Sequence, residues 1–292
     1  MDRRDFLKKS VMATAKVAIG ASVISKFLED DLSAAPNSVK KIGLQLYSVR
    51  GMMDKDVPDT LKQVAAIGYK ELETASYNNG KIYGMSPQDF RRLVEDIGMK
   101  VSSSHLGWNI QKGKEQEAYD WWDKALDAQA EVGCRYAIQP SMHIGDKIED
   151  IQLYCDYFNK VGEMAKTRGL KFGFHNHSGE FKVIDGNIVF DYMIKNTSPE
   201  NVVYEMDVYW LEKGGQDPVD YLKKYAGRFP LLHIKDEDII GAGGELDFKA
   251  IFEAAYAQGM KDYYVEVEKY QISPIKDVEK SYDYLYHSSF VK

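Results

Sequence analysis

The residues best suited to chemistry sit in the stretch LKFGFHNHSGE, which spans 170–180. Its apolar LKFGF portion reads as a buried strand that runs out into His-Asn-His. Side chains alternate faces along a strand, so His175 and His177 project to one side and Asn176 to the other. Paired imidazoles at a strand end suit a divalent transition metal, for which neutral imidazole is a good ligand. Only six histidines occur in the 292 residues, and three later segments end in matching groups. These are Asp207 in VVYEMDVYW, His233 in PLLHIKDED, and Glu266 with Glu268 in YYVEVEKY. An isolated His pair is more often structural. Four successive strand ends bearing His, Asp, His and Glu read as a metal centre.

The elements that would position these groups follow a repeated phrase: helix, Gly, one or two residues, apolar strand. It appears in KQVAAIGYKELE, RLVEDIGMKVSSS, AQAEVGCRYAIQ, MAKTRGLKFGFH and EAAYAQGMKDYYVEVE. Gly68, Gly98, Gly133, Gly169 and Gly259 stand where a helix stops in a left-handed residue. With a first strand at KIGLQLYSV and two units lacking the glycine, the pattern predicts strands near 42–47, 69–74, 100–105, 135–139, 170–176, 202–207, 230–235 and 262–268. Helices are expected over 56–67, 86–97, 115–132, 147–168, 188–195, 218–226, 248–258 and 275–286. Ser86-Pro87, Asp217-Pro218 and Ser273-Pro274 are a cap followed by proline in the first turn. Alternation of this kind in about 250 residues predicts a single-domain α/β fold, a closed (β/α)8 TIM barrel. An open doubly wound sheet would carry a Gly-rich phosphate loop after its first strand, and QLYSVRGMMDKD has none. The barrel also explains why Gln45, Glu73, His105, Gln139, His175, Asp207, His233 and Glu266 all fall at strand ends. GAGGELDF (241–248) and WLEKGGQDP are expected to be flexible active-site loops.

A net charge of -7 and a pI near 5.5, with no basic stripe, argue against nucleic acid as a partner. MDRRDFLKKS, with Arg3 and Arg4, precedes the apolar run VMATAKVAIGASVI and the small residues Ser33, Ala34 and Ala35. This resembles a twin-arginine export signal over residues 1–35, with the barrel occupying 36–292. The apolar run is short and interrupted by Lys16, so no stable membrane insertion is expected once it is cleaved. A periplasmic or secreted protein follows from that reading. Cys134 and Cys155 are expected to be buried apolar residues rather than a disulfide.

FHNHSGEF, MDVYWLEKGGQDPVDYL, LLHIKD and the Glu-bearing last strand together resemble the xylose isomerase-like barrels, over roughly residues 40–290. That family includes sugar epimerases, inosose dehydratases and endonuclease IV. The resemblance implies a divalent metal held by Glu, Asp, His and Glu from strands five to eight. Asp207, His233 and Glu266 match the last three positions, with Glu268 as an alternative on the same face. The strand-five Glu falls on His175, and His177 is the alternative ligand or a substrate-orienting group. Loss of that carboxylate argues against epimerisation by two glutamates and leaves a histidine as the candidate second base. Trp210 stands where endonuclease IV carries an extra histidine, which argues against DNA repair.

A metal on His175, Asp207, His233 and Glu266 leaves positions for two oxygens of a hydroxy-ketone and acidifies the adjacent C–H. Manganese, zinc, cobalt, iron or magnesium fits the resemblance, and the imidazoles favour the transition metals. Glu266, or an unligated His175 or His177, would be the base, and Lys235, on the face of His233, would hold an oxyanion. Glu73, His105, Trp108 and Trp210 are candidate sugar contacts, Tyr209 adds a further ring, and Glu180 is a candidate partner of a ligating imidazole. An exported enzyme would meet unphosphorylated sugars or glycosides. The first expectation is therefore a metal-dependent isomerase or epimerase of a free sugar. The second is a lyase or hydratase acting on keto-sugars such as 3-keto-glycosides. The third is a non-catalytic carbohydrate-binding barrel. A homo-oligomer is left open.

Overall fold

Helices begin where the sequence marks them. The side chains of Asp56, Ser86, Asp217 and Ser273 each accept a hydrogen bond from a backbone N–H of the first turn, and each helix they open has proline in that turn. This satisfies donors that a helix cannot pair internally. The computed structural model describes residues 40–292; the stretch read as an export signal, 1–35, lies outside the described residues. The barrel unit spans Lys41–Val291.

Eight parallel strands close in chain order. They are β1 Gly43–Gln45, β2 Glu71–Thr74, β3 Lys100–His105, β4 Tyr136–Gln139, β5 Lys171–His175, β6 Val202–Asp207, β7 Leu231–Lys235 and β8 Asp262–Glu266. The main helices are α1 Val57–Ile67, α2 Pro87–Asp96, α3 Glu115–Val132, α4 Ile148–Lys166, α5 Val189–Asn196, α6 Pro218–Lys224, α7 Phe248–Ala257 and α8 Pro274–His287. The expected barrel is present. Helix α3 ends in Gly133 at φ +100°, a conformation that a Cβ would penalise. Between sheet and helices, Trp122 of α3 and Phe158 of α4 meet Phe172 of β5 with ring centroids 5.2 and 5.3 Å apart. All three are fully buried, and each such aromatic contributes on the order of 2–3 kcal/mol by leaving water. A second, separate cluster of Tyr136, Ile138, Val203, Leu231 and Tyr264 fills the barrel interior.

Three local features depart from expectation. WLEKGGQDP is not wholly a loop, because Val208–Lys213 forms a short helix. Two small hairpins follow β2 and β5, pairing Tyr77–Asn78 with Lys81–Ile82 and Val183–Ile184 with Asn187–Ile188. A further short helix, Arg50–Met53, follows β1. Cys134 and Cys155 are buried and unbridged, as expected. No helix among the described residues is long and apolar enough to cross a membrane.

The interior leaves little slack beside Tyr264. A Cβ on Gly43 would lie 2.5 Å from the Tyr264 ring and 2.6 Å from the Tyr263 carbonyl oxygen, whereas one on Gly51 would meet nothing within 4 Å. Gly43→Ala is expected to lower stability by about 1–3 kcal/mol through overpacking. Gly51→Ala, in the helix Arg50–Met53, should be neutral or slightly stabilising, by at most about 1 kcal/mol. Denaturant unfolding of both variants checks this pair.

Candidate metal centre and catalytic cavity

The polar groups at the carboxyl ends of the strands form stacked tiers, because residues two apart on a strand share a face. On β6, Glu205 lies one step below Asp207, and on β7 His233 lies one step below Lys235. Strand register sets Asp207 beside His233 and Lys235 beside Glu266. Asn176, on the opposite face from the histidines, ties β5 to β6. Its amide donates to the Asp207 carbonyl at 3.2 Å, and its Oδ1 accepts from the Asp207 N–H at 3.1 Å. One oxygen of Asp207 is spent as helix cap, accepting from the Trp210 N–H at 2.8 Å. The other oxygen faces inward and has no hydrogen-bond partner.

Two groups of buried side chains bring potential ligand atoms within 4.8 Å of one another: His175, Asp207, His233 and Glu266; and His105, His175, Glu205 and His233. Distances separate them. In the upper group His175 Nε2 lies 3.4 Å from Asp207 Oδ2. His233 Nδ1 lies 3.3 Å from Glu266 Oε2 and 3.9 Å from Asp207 Oδ2. Ligands held about 2.0–2.2 Å from a tetrahedral metal stand about 3.3–3.6 Å apart, so the upper set has metal-sized edges. Around the lower set two short contacts are hydrogen bonds, His105 Nε2 to Glu205 Oε2 at 2.7 Å and His233 Nε2 to Glu73 Oε2 at 2.6 Å, while Glu205 Oε2 stands 3.4 Å from His233 Nε2. Both ring nitrogens of His175 lack a hydrogen-bond partner, as does Asp207 Oδ2. Buried polar atoms are seldom left this way unless something absent satisfies them. The upper residues therefore fit a divalent ion.

Burial is the largest single influence on both groups and lifts Glu205 as well as Asp207 to about 7. Burial, reinforced by Glu266 and opposed by Lys235 and His233, lifts the Asp207 carboxyl to about 7. Burial, with His233, His177, His105 and Lys235 close by, holds His175 well below the usual imidazole range, in the neutral form a metal needs. Burial would raise Glu266, but His233 and Lys235 outweigh it and keep the carboxyl well below its ordinary value. Burial also acts against Lys235, and Glu266, Asp207 and Glu268 nevertheless hold it protonated. His177 is brought down to about 4, chiefly by burial.

Above the upper set opens a cavity of about 330 Å³ whose lining includes Tyr47, His105, His175, His177, Glu266 and Glu268. Lys235 Nζ bonds Glu266 at 3.0 Å and Glu268 at 2.9 Å. It also sits 5.0 Å from the Trp210 ring centre, and that ring is 5.8 Å from His177. His105, His175, His177, Asp207, Trp210, His233, Lys235 and Glu266 thus converge. Three expected positions differ. Trp108, like Trp210, is not part of the cavity lining, and its indole, 36% exposed, lies against Trp121 at 5.7 Å with no ring contact or hydrogen bond to the described His/carboxylate groups. Glu180 accepts from the backbone N–H of His177 at 2.8 Å, so it braces the loop and does not meet a ligating ring. Glu73, expected as a sugar contact, is fully buried and accepts from Gln45, Ser103 and His233. Glu205 was missed. Its signal is a carboxylate two residues before Asp207, on the same face of an otherwise apolar strand.

A closed parallel barrel with a His/carboxylate cluster at its strand ends defines a known class of metal-capable barrels. The family model for the xylose isomerase-like TIM barrel matches residues 61–287, and the chain belongs to that family. It is 35% identical over 208 residues to an inosose dehydratase of Clostridium botulinum, covering 64% of this chain and 68% of the relative. An inosose dehydratase of Geobacillus kaustophilus is 24% identical over 209 residues, and the match spans 65% of that relative's length and 64% of this chain. Among solved structures, a sugar phosphate isomerase/epimerase from Parabacteroides distasonis is 36% identical with a TM-score of 0.83, covering 87% of this chain and all of that one (100%).

Zinc or manganese added to the metal-free protein is expected to bind at one ion per chain, measured by equilibrium dialysis. Asp207→Asn and His233→Ala should each weaken that binding by at least about tenfold. Because Asp207 carries its proton up to about pH 7 in the metal-free chain, binding must displace it. Affinity should rise with pH between about pH 5 and 7 and go on rising above it, because burial acts against His233 but Glu205, Glu73 and Glu266 hold it protonated well above the usual imidazole range, so it too must free a ring nitrogen.

Proposed function

We propose that the chain is a divalent-metal-dependent enzyme that removes the proton next to the carbonyl of an unphosphorylated keto-sugar or keto-glycoside, then expels an oxygen from the neighbouring carbon. The observation that carries this reading is the asymmetry of bases around the cavity. The end of strand β5 and the turn just after it offer imidazoles, His175 and His177, where two-base epimerisation through glutamates would need a carboxylate. The opposing Glu266 is held ionised by His233 and Lys235, which suits it to ligation more than to accepting a proton. Likeness to two inosose dehydratases supports elimination.

A divalent ion on His175, Asp207, His233 and Glu266 would polarise the substrate carbonyl and so acidify the adjacent C–H. The imidazoles favour zinc, manganese, iron or cobalt, with magnesium the weaker match. His177 lines the cavity with a neutral ring and takes the proton from carbon. The electron pair released from the C–H bond forms the new C=C bond as the C–O bond breaks. Lys235, protonated between Glu266 and Glu268, stabilises the negative charge and supplies a proton to the departing oxygen. Trp210 presents its ring beside both groups. Among the described residues no arginine is part of the cavity lining, and Arg50, which packs on the lining residue Tyr47 at 4.3 Å, is engaged with Tyr270 and the Glu268 carbonyl; this agrees with a substrate lacking phosphate. Residues 1–35 would deliver the enzyme to the periplasm or outside the cell, where glycosides rather than sugar phosphates are met.

The second reading is isomerisation or epimerisation of a free sugar, with His177 returning the proton to a neighbouring carbon. It is favoured by the 36% identity to a structure described as a sugar phosphate isomerase/epimerase.

Incubation of metal-loaded protein with 3-keto-glucosides and free ketoses in D₂O, followed by NMR, separates these readings. Elimination predicts an unsaturated product and a released alcohol from the keto-glucoside. His177→Ala should reduce its rate by about 10²–10⁴-fold, as expected for loss of a general base. Deuterium entering a free sugar without elimination would move the assignment to isomerase. Neither exchange nor product from any substrate would overturn the catalytic reading in favour of a sugar-binding barrel.

A further inference from the structure

Glu73 has a place in the barrel that neither its sequence neighbourhood nor the chemistry above accounts for. It is a fully buried carboxylate. Gln45 Nε2 donates to Oε2 at 2.6 Å, and Ser103 Oγ donates to Oε1 at 2.5 Å. His105 Nε2 stands 3.2 Å away. Gln45 is itself fixed, because its Oε1 accepts the Tyr47 N–H at 3.0 Å. The carboxylate is therefore immobile, and it presents Oε2 to His233 Nε2 at 2.6 Å. The other nitrogen of that ring, Nδ1, is the one directed at Glu266 and Asp207.

We propose that Glu73 is the positioning residue of the metal centre: its hydrogen bond keeps the proton of His233 on Nε2, so that Nδ1 offers its lone pair to the ion. An imidazole has one donor and one acceptor nitrogen when neutral, and a fixed acceptor on one side decides which is which. Carboxylate-to-histidine-to-metal arrangements of this kind orient the ring and raise its basicity. The geometry adds a selection between seats. His233 belongs to both groups of potential ligands, and only its Nε2 approaches Glu205, at 3.4 Å. While Glu73 engages Nε2, His233 serves the upper set with Asp207 and Glu266 and is withheld from the lower one. Gln45 and Ser103 act on the ion at one remove further, by denying Glu73 any other orientation.

This inference rests on the metal centre proposed above, and zinc binding separates the two. The intact protein, Glu73→Ala and Glu73→Gln are compared by competition titration with zinc, with thermal unfolding of the metal-free forms as a check on folding. Histidine nitrogen NMR of zinc-loaded, ¹⁵N-labelled protein reports which nitrogen of His233 is ligated. The wild type should show ligation at Nδ1 with a proton on Nε2. Glu73→Ala should bind zinc about 10–100-fold more weakly, the usual effect of removing such a partner. Glu73→Gln, whose amide oxygen can still accept from Nε2, should recover part of that loss. If folded Glu73→Ala binds zinc with wild-type affinity and an unchanged His233 signature, the positioning role is overturned. A wild type that binds no zinc overturns the metal centre itself, and the positioning role with it.

Discussion

Everything at the carboxyl end of this barrel depends on keeping an unusual density of ionisable groups out of water. Glu73, Glu205, Asp207, His233 and their neighbours are buried together, and an uncompensated buried charge costs several kcal/mol. The chain meets that cost by mutual pairing. Glu73 is matched to His233, Glu205 to His105, and Glu266 to Lys235 and His233. What remains unmatched around the site is both nitrogens of His175, Asp207 Oδ2, Glu205 Oε1 and Trp210 Nε1. The lower tier is the more heavily hydrogen-bonded of the two, and the upper tier, with His175 and Asp207 Oδ2, is the one that opens to the cavity.

Rigidity below and access above suit a metal-dependent enzyme of this family. Strand register fixes the heights of the ligands, and capping of Val208–Lys213 fixes the rotamer of Asp207 by occupying its other oxygen. Lys235 gives the cavity a permanent positive charge beside an ionised Glu266, so developing negative charge on a substrate meets a partner already in place. His177 stands on the cavity lining, next to His175, the proposed ligand, with a neutral ring. A base and a charge-stabilising cation flanking one aromatic, Trp210, is the constellation that the proposed proton removal requires.

Much of this was legible in the sequence because barrel chemistry is written at strand ends. The helix-Gly-strand phrase marked most of the units, and capped prolines marked the starts of several helices. The spacing of His175, Asp207, His233 and Glu266 followed from strand periodicity. Depth was not legible. Glu73 and His105 both end strands, but barrel tilt and stagger place one wholly inside and the other on the cavity wall. Glu205 escaped notice because a carboxylate inside an apolar strand looks misplaced until its partner, His105, is seen across the barrel. The helix at Val208–Lys213 was hidden for a related reason, since its cap, Asp207, reads first as a ligand. Hairpins with two-residue strands leave no periodicity to detect.

Anomalous diffraction from crystals grown with zinc or manganese decides whether His175, Asp207, His233 and Glu266 form one metal seat. A single strong anomalous peak is expected within about 2.0–2.3 Å of His175, Asp207 Oδ2, His233 Nδ1 and a Glu266 oxygen. A peak instead among His105, Glu205 and His233 Nε2, or no peak in the barrel at all, would contradict it.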